Sequence, residues 1–322
     1  MTKFNFMQKM TVRFAILLFI ISPIMSFSQT VINSPQIIGS LIRYEKFFSK
    51  FVDARTIDVW LPKNYKKSKK YSVLYMHDGQ MLFDSSTTWN KQAWNVDEHI
   101  SKLITSKEIN NCIVVGIYNN GNKRHFEYAP QKALTEFLSK DVLDSILNEI
   151  KGQKAPNDKE LSPLLADNYL KFIVQELKPF IDKNYSTFTD RTHTSIMGSS
   201  MGGLISMYAL CEYPEVFGSA ACLSTHWPLL FRKENPAPQA LLSYLNKYLP
   251  APEKGNRIYF DCGTATLDAM YPEYQSKADA ILKSKAYSSL QFMSRIFPGE
   301  DHTEKAWDKR LDLPLKFLLG KK

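Results

Sequence analysis

Ser200 lies at the centre of Gly198-Ser199-Ser200-Met201-Gly202, followed by Gly203. A β-prone run, residues 192–197, precedes it, and a helix-prone run, residues 204–210, follows. Strand, tight turn and helix with a serine at the apex is the context of a G-x-S-x-G nucleophile elbow. The glycines let strand and helix approach closely while the serine holds a strained backbone that points its hydroxyl out of the sheet. A serine hydroxyl is a weak nucleophile at neutral pH, so the chemistry is acyl transfer only if a base and an orienting carboxylate join it.

Two histidines follow the serine, His226 and His302. His226 comes directly after the next strand-like run, which leaves no room for an acid between serine and base. His302 follows the last strand-like run, in Phe297-Pro298-Gly299-Glu300-Asp301-His302, on a loop that can return over the sheet. His302 is therefore the expected base, and His226 is expected to line the pocket beside Trp227. The acid should sit just past the preceding strand, in the stretch from Tyr259 to Asp268. Asp268, on the loop, is the first candidate. Asp261, still at the strand end, is the second, with Glu273 behind it. The developing oxyanion needs backbone donors; the expected ones are the N–H of Met201 and that of Gln80, in the loop His77-Asp78-Gly79-Gln80. A metal reading of His77 and Asp78 lacks partners at ligand spacing, so neither a metal nor another cofactor is expected.

Strand-like and helix-like runs alternate, which argues for an α/β sheet covered on both faces. Residues 41–51 and 55–61 read as an opening antiparallel pair. Residues 71–76, 112–117, 219–224, 257–261 and 290–297 read as further strands, and 112–117 is apolar throughout, as a strand buried on both faces would be. Helices are expected near 96–103, over 131–150, over 169–181 with Pro179 kinking or ending it, and over 304–319. Two long connections, 119–168 and 226–256, are expected to cover the binding face as a lid. The strip Lys123-Arg124-His125-Phe126-Glu127-Tyr128 opens the first of them. Arg124 suits a carboxylate or phenolate and Tyr128 a sugar or aryl ring; the competing role for Arg124 is an ion pair that holds the loop.

The chain has 322 residues and a formal net charge of +9. Its start carries Lys3, Lys9 and Arg13 with no acid, then an apolar run over 14–21, Pro23, and small Ser26 and Ser28. That is the composition of a secretory signal peptide cleaved before Gln29, too short to span a bilayer comfortably. Residues 29–322 then form one domain, periplasmic or secreted, with no stable membrane insertion. Losing the three basic residues lowers the charge to +6. Without a polybasic block, no nucleic-acid partner is expected. The four cysteines are spaced neither as a disulfide scaffold nor as a zinc site and read as buried thiols.

Seven stretches, in order, carry a resemblance: VWLPKNY, YSVLYMHDGQMLFD, IVVGIYN, FIVQELKPFIDKNY, IMGSSMGG, YFDCGTATLD and FPGEDHTEKAW. Together they resemble the "Putative esterase" family of α/β hydrolases, which includes esterase D, enterochelin-esterase-like proteins and feruloyl or acetyl-xylan esterases. The resemblance implies an α/β-hydrolase fold and a serine hydrolase with Ser200, Asp268 and His302 as its triad. With export, it favours a polysaccharide or siderophore ester as substrate. The alternatives are an inactive relative that binds a glycan or siderophore, and a peptidase or acyltransferase using the same triad.

Overall fold

The computed structural model describes residues 29–152, 164–231 and 234–321. The leader segment, residues 1–28, lies outside the described residues. Among the described residues, nine strands form one sheet in the order β1-β2-β3-β5-β4-β6-β7-β8-β9. These are β1 Gln29–Ile32, β2 Ser40–Phe47, β3 Arg55–Leu61, β4 Ser72–His77, β5 Cys112–Ile117, β6 Thr194–Ser199, β7 Ser219–Leu223, β8 Arg257–Gly263 and β9 Phe292–Phe297. The pairs β1–β2, β2–β3 and β3–β5 are antiparallel; every pair from β5 to β9 is parallel. This is the expected α/β-hydrolase architecture. β1, short and mostly exposed, is the strand that apolar patterning did not reveal.

β4 to β7 are buried along their whole length, because helices cover both faces. Alternate residues feed two cores: Val73 and Tyr75 of β4 with Ile113 and Val115 of β5 on one face, Leu74 and Met76 with Val114 on the other. The chain runs from β4 out to β5 on one side and returns to β6 on the other. Such a reversal opens a crevice at the carboxyl ends of the strands. It brings the loop after β4 beside the elbow after β6.

Three expected helices are subdivided. The 131–150 stripe is two helices, α3 Gln131–Phe137 and α4 Lys140–Gly152, after α1 Val96–Thr105 and α2 Arg124–Tyr128. Leu138 is extended, and Ser139, a residue type that favours helix starts, accepts from Leu143 N–H. Pro179 neither ends nor interrupts the next segment. α5 Ala166–Lys171 runs through a π-helical stretch, Phe172–Leu177, into α6 Lys178–Asn184. Pro179 sits in the first turn after the π-helical stretch, where its missing N–H is tolerated. The closing helix is α10 Glu304–Arg310 and α11 Asp312–Leu319, with Pro314 in the first turn of the latter. Between them come α7 Met201–Glu212, α8 Ala237–Tyr248 and α9 Tyr271–Ser284; α8 lies inside a connection read as a lid, and α9 was not anticipated. Cys112, Cys211, Cys222 and Cys262 are buried and unpaired. No helix among the described residues is long and apolar enough to cross a membrane.

His99 on α1 joins the two closing helices: Nδ1 lies 2.6 Å from Asp312 Oδ1 and Nε2 lies 2.8 Å from Asp308 Oδ1. Both nitrogens can donate only as imidazolium. Burial pulls its pKa down, but the two carboxylates outweigh it and the net shift is upward from 6.5. The His99 contribution is thus complete below the unfolded pKa and lost as pH rises through the raised folded value. His99→Gln is expected to cost about 1–2 kcal/mol in mildly acidic solution and less above that window. Thermal melts of both proteins across pH 5–9 check this; parallel curves would contradict it.

Candidate active site

Ser200 stands at φ 58°, ψ −123° between β6 and α7. Its N–H donates to Leu223 O at 2.9 Å, and its carbonyl accepts from His226 N–H at 3.1 Å. Of the two flanking glycines, Gly198 is required by contact. A Cβ on Gly198 would lie 2.8 Å from the carbonyl of Gly202. Three more non-glycine residues at positive φ sit on the same rim: Asp78 at 56° after β4, Ser224 at 41° after β7 and Thr266 at 51° after β8. Strained backbone of this kind persists where the surroundings over-determine it and clusters at sites that do chemistry.

His302 lies between β9 and α10, and its Nδ1 is 2.6 Å from Asp268 Oδ1. Its ring meets Trp307 edge-on at 5.0 Å and Tyr271 at 5.7 Å. Asp268 is buried in the turn Thr266–Met270. Its other oxygen accepts from Ser224 Oγ at 2.5 Å and from Gly263 N–H at 2.6 Å. Asp261 faces elsewhere: it accepts from Tyr259 Oη at 3.0 Å and from Arg310 at 3.1 Å. Glu273 is a surface residue paired with Lys277.

Ser200 and His302 line one cavity of about 480 Å³ with Gln80, Asp78 and Arg124. Gln80 lies in the turn Gly79–Met81, and Met201 opens α7. Arg124 reaches the cavity but grips Asp78 with two bonds of 2.7 Å, Nε to Oδ1 and Nη2 to Oδ2. The ion-pair role, with Asp78 rather than a residue of its own strip, is the one it fills. Burial raises the Asp78 pKa, but the Arg124 charge and hydrogen bonds outweigh this and hold it below 3.8. His77 is bonded through Nδ1 to Tyr169 Oη at 2.8 Å, and burial holds its pKa near 3.

Two expected substrate contacts need correction. Tyr128 is fully buried beneath Arg124, whose guanidinium lies 5.0 Å from its ring centre. Trp227 is fully buried against Phe260, with Nε1 donating to Gln275 at 3.2 Å. Both are core residues: Tyr128 ends α2 with its ring against His77 and Tyr169, and Trp227, on the loop after β7, packs on Phe260. His226 is buried as well, its Nδ1 2.6 Å from Tyr271 Oη. Burial, reinforced by His302 and other cations, holds its pKa near 3, so the ring stays neutral.

Sequence reasoning passed over Tyr271, Ser224, Trp307 and Trp89. Tyr271 is buried and its hydroxyl interacts with the Ser200 side chain. Trp307 packs on Trp94 in the cavity wall. Trp89 stands at the cavity mouth, 83% exposed. A tryptophan isolated in a polar, turn-rich loop, 84–92, was the available signal for the last.

The model of the "Putative esterase" family matches residues 49–160 and 151–318. A Bacillus subtilis protein, YjcH, is 26% identical over 180 residues, 55% of this chain and 59% of its own length. Among solved structures, a ferulic acid esterase from Anaeromyces mucronatus superposes with a TM-score of 0.56 at 16% identity, covering 92% of each chain. The enterobactin esterase of Shigella flexneri superposes with a TM-score of 0.59 at 18% identity, covering 88% of this chain and 60% of the other. The chain thus spans about three fifths of the length of both YjcH and the Shigella enzyme. With the family model matched along most of its length, on an α/β-hydrolase sheet with a serine at the elbow, this chain belongs to the "Putative esterase" family.

Proposed function

We propose that the chain is an exported serine hydrolase that cleaves a carboxylic ester of a polysaccharide or a siderophore through Ser200, His302 and Asp268. One observation carries the reading: His302 lines the cavity that holds Ser200, and its Nδ1 lies 2.6 Å from the buried carboxylate of Asp268. Ser200 Oγ attacks the ester carbonyl carbon while His302 Nε2 takes its proton. The oxyanion of the tetrahedral intermediate is held by the N–H groups of Met201 and Gln80. As the intermediate collapses, the C–O bond to the alcohol breaks and His302 returns the proton to the departing oxygen. Water repeats the sequence on the acyl-enzyme, releasing the carboxylic acid and restoring Ser200. Export rests on the basic and apolar leader of the sequence.

Trp89 supports a bulky ester substrate. Its loop is fastened to the start of α10, with Asn90 Nδ2 donating to Glu304 at 2.7 Å and Lys305 N–H donating to Gln92 at 3.1 Å. An exposed indole on an anchored loop at a cavity mouth is a stacking platform. The test is turnover of acetyl- and feruloyl-oligosaccharides, an enterobactin-type triester and a p-nitrophenyl ester by the wild type and Trp89→Ala. The wild type should hydrolyse one of the first two classes. The variant should show a KM for it raised roughly 3- to 10-fold, with the p-nitrophenyl ester unaffected. Failure to hydrolyse any of these esters would contradict the reading.

A further inference from the structure

We infer that Ser224 is the positioning residue that fixes the protonation pattern of the Asp268–His302 pair. The inference rests on His302 being the base. The Ser224 hydroxyl is buried and makes three hydrogen bonds. Trp307 Nε1 lies 2.9 Å from its oxygen, and Arg310 Nη2 lies at the same distance. Indole and guanidinium only donate. Both acceptor positions of the oxygen are thus filled, and its single proton points at Asp268 Oδ2, 2.5 Å away. Gly263 N–H donates to that same Oδ2.

Oδ2 of Asp268 therefore receives two protons from outside and carries none of its own. Oδ1, the remaining oxygen, faces His302 Nδ1. The arrangement is consistent with one proton between them, on Nδ1, which leaves Nε2 bare to accept from Ser200. Ser224 thus converts two obligate donors behind the site into the imidazole tautomer a general base needs. It also accounts for Asp261, the second buried aspartate, which balances Arg310 rather than serving His302. The positive φ of Ser224 fits this role, since it turns the side chain back under Asp268.

Without the hydroxyl, Trp307 Nε1 and one N–H of Arg310 Nη2 lose their acceptor, while Arg310 keeps Asp261. Asp268 Oδ2 lies 3.9 Å from Arg310 Nη2 and is the carboxylate oxygen to which the guanidinium turns. The carboxylate then leans from His302, the imidazolium loses part of its counter-charge, and the acidic limb of kcat/KM moves to lower pH. The charged and titratable groups around Asp268 are His302 from the loop after β9, Arg310 from α10, Asp261 and Cys262 from β8, and Tyr271 from α9. His226 faces His302 from the loop after β7.

Ser224→Gly and Ser224→Ala both remove the hydroxyl, but only glycine fits φ 41° without strain. Both variants should lose roughly 10- to 100-fold in kcat with KM little changed, and the acidic limb should fall by about half a pH unit. Nitrogen-resolved NMR of His302 in the wild type, above the limb, should show Nδ1 protonated and Nε2 bare, with a low-field Nδ1 proton that moves upfield in both variants. This readout needs no turnover, so it separates failure of this inference from failure of the esterase reading. Nε2–H in the wild type would overturn the inference. So would a limb that stays or rises, or a loss confined to Ser224→Ala.

Discussion

Ser200→Ala is expected to abolish ester turnover to within a residue about 10³- to 10⁶-fold below the wild-type kcat. The serine oxygen forms the acyl bond in the proposed route, and no other hydroxyl is held at an elbow between β6 and α7. What remains is the contribution of binding and of the proposed oxyanion donors, Met201 and Gln80, which do not depend on the hydroxyl. Alanine keeps the Cβ and meets the same φ of 58°, so the fold should survive. Initial rates on a short aryl ester, beside thermal melts of both proteins, separate lost chemistry from lost structure. Comparable turnover by the variant would remove Ser200 from the mechanism.

Asp268→Asn is expected to lower kcat by about 10⁴-fold with the fold intact. The direction of the amide follows from its surroundings. Ser224 Oγ and Gly263 N–H both donate to the inner oxygen, so the asparagine oxygen must occupy that position. Its NH₂ then faces His302 Nδ1, and an imidazole that accepts there carries its proton on Nε2. That tautomer cannot take the proton of Ser200. Asp261→Asn should behave in the opposite way. It weakens the partner of buried Arg310, so it should cost roughly 2–4 kcal/mol of stability while kcat stays within about tenfold. Rates and denaturant midpoints for the two variants distinguish them; a larger kcat loss in Asp261→Asn would reverse the assignment.

Most of the fold was legible because buried parallel strands are apolar runs with few other readings. β5, Cys112–Ile117, was readable to the residue. The helices were harder, since periodicity marks a buried face but not its interruptions. The stripe over 131–150 continues across the break at Leu138, because α3 and α4 bury the same side. Pro179 misled because a π-helical stretch, which no residue pattern announces, removed the conflict that proline normally creates.

At the site, chain order alone placed His302 and Asp268 near each other, since the loops after β8 and β9 are neighbours in the sheet. Loop position ranked Asp268 ahead of Asp261, and the hydrogen bonds show which of them faces His302. Both are carboxylates near the end of one strand, seven residues apart, Asp261 within β8 and Asp268 in the turn after it, and each faces a different partner. Tyr128 and Trp227 were misread because an aromatic near an active loop fits a core as well as a pocket. Ser224 was invisible for another reason. Its meaning lies in three contacts from α10 and the loop after β8, far away in the chain.

Labelling with a fluorophosphonate tests the central claim most directly, because the probe reports an activated serine whether or not the natural ester is known. Peptide mass analysis after reaction of the folded chain should place one adduct on Ser200, absent from Ser200→Ala and strongly slowed in Asp268→Asn. No adduct on folded wild-type protein, or one on a different serine, would contradict the account.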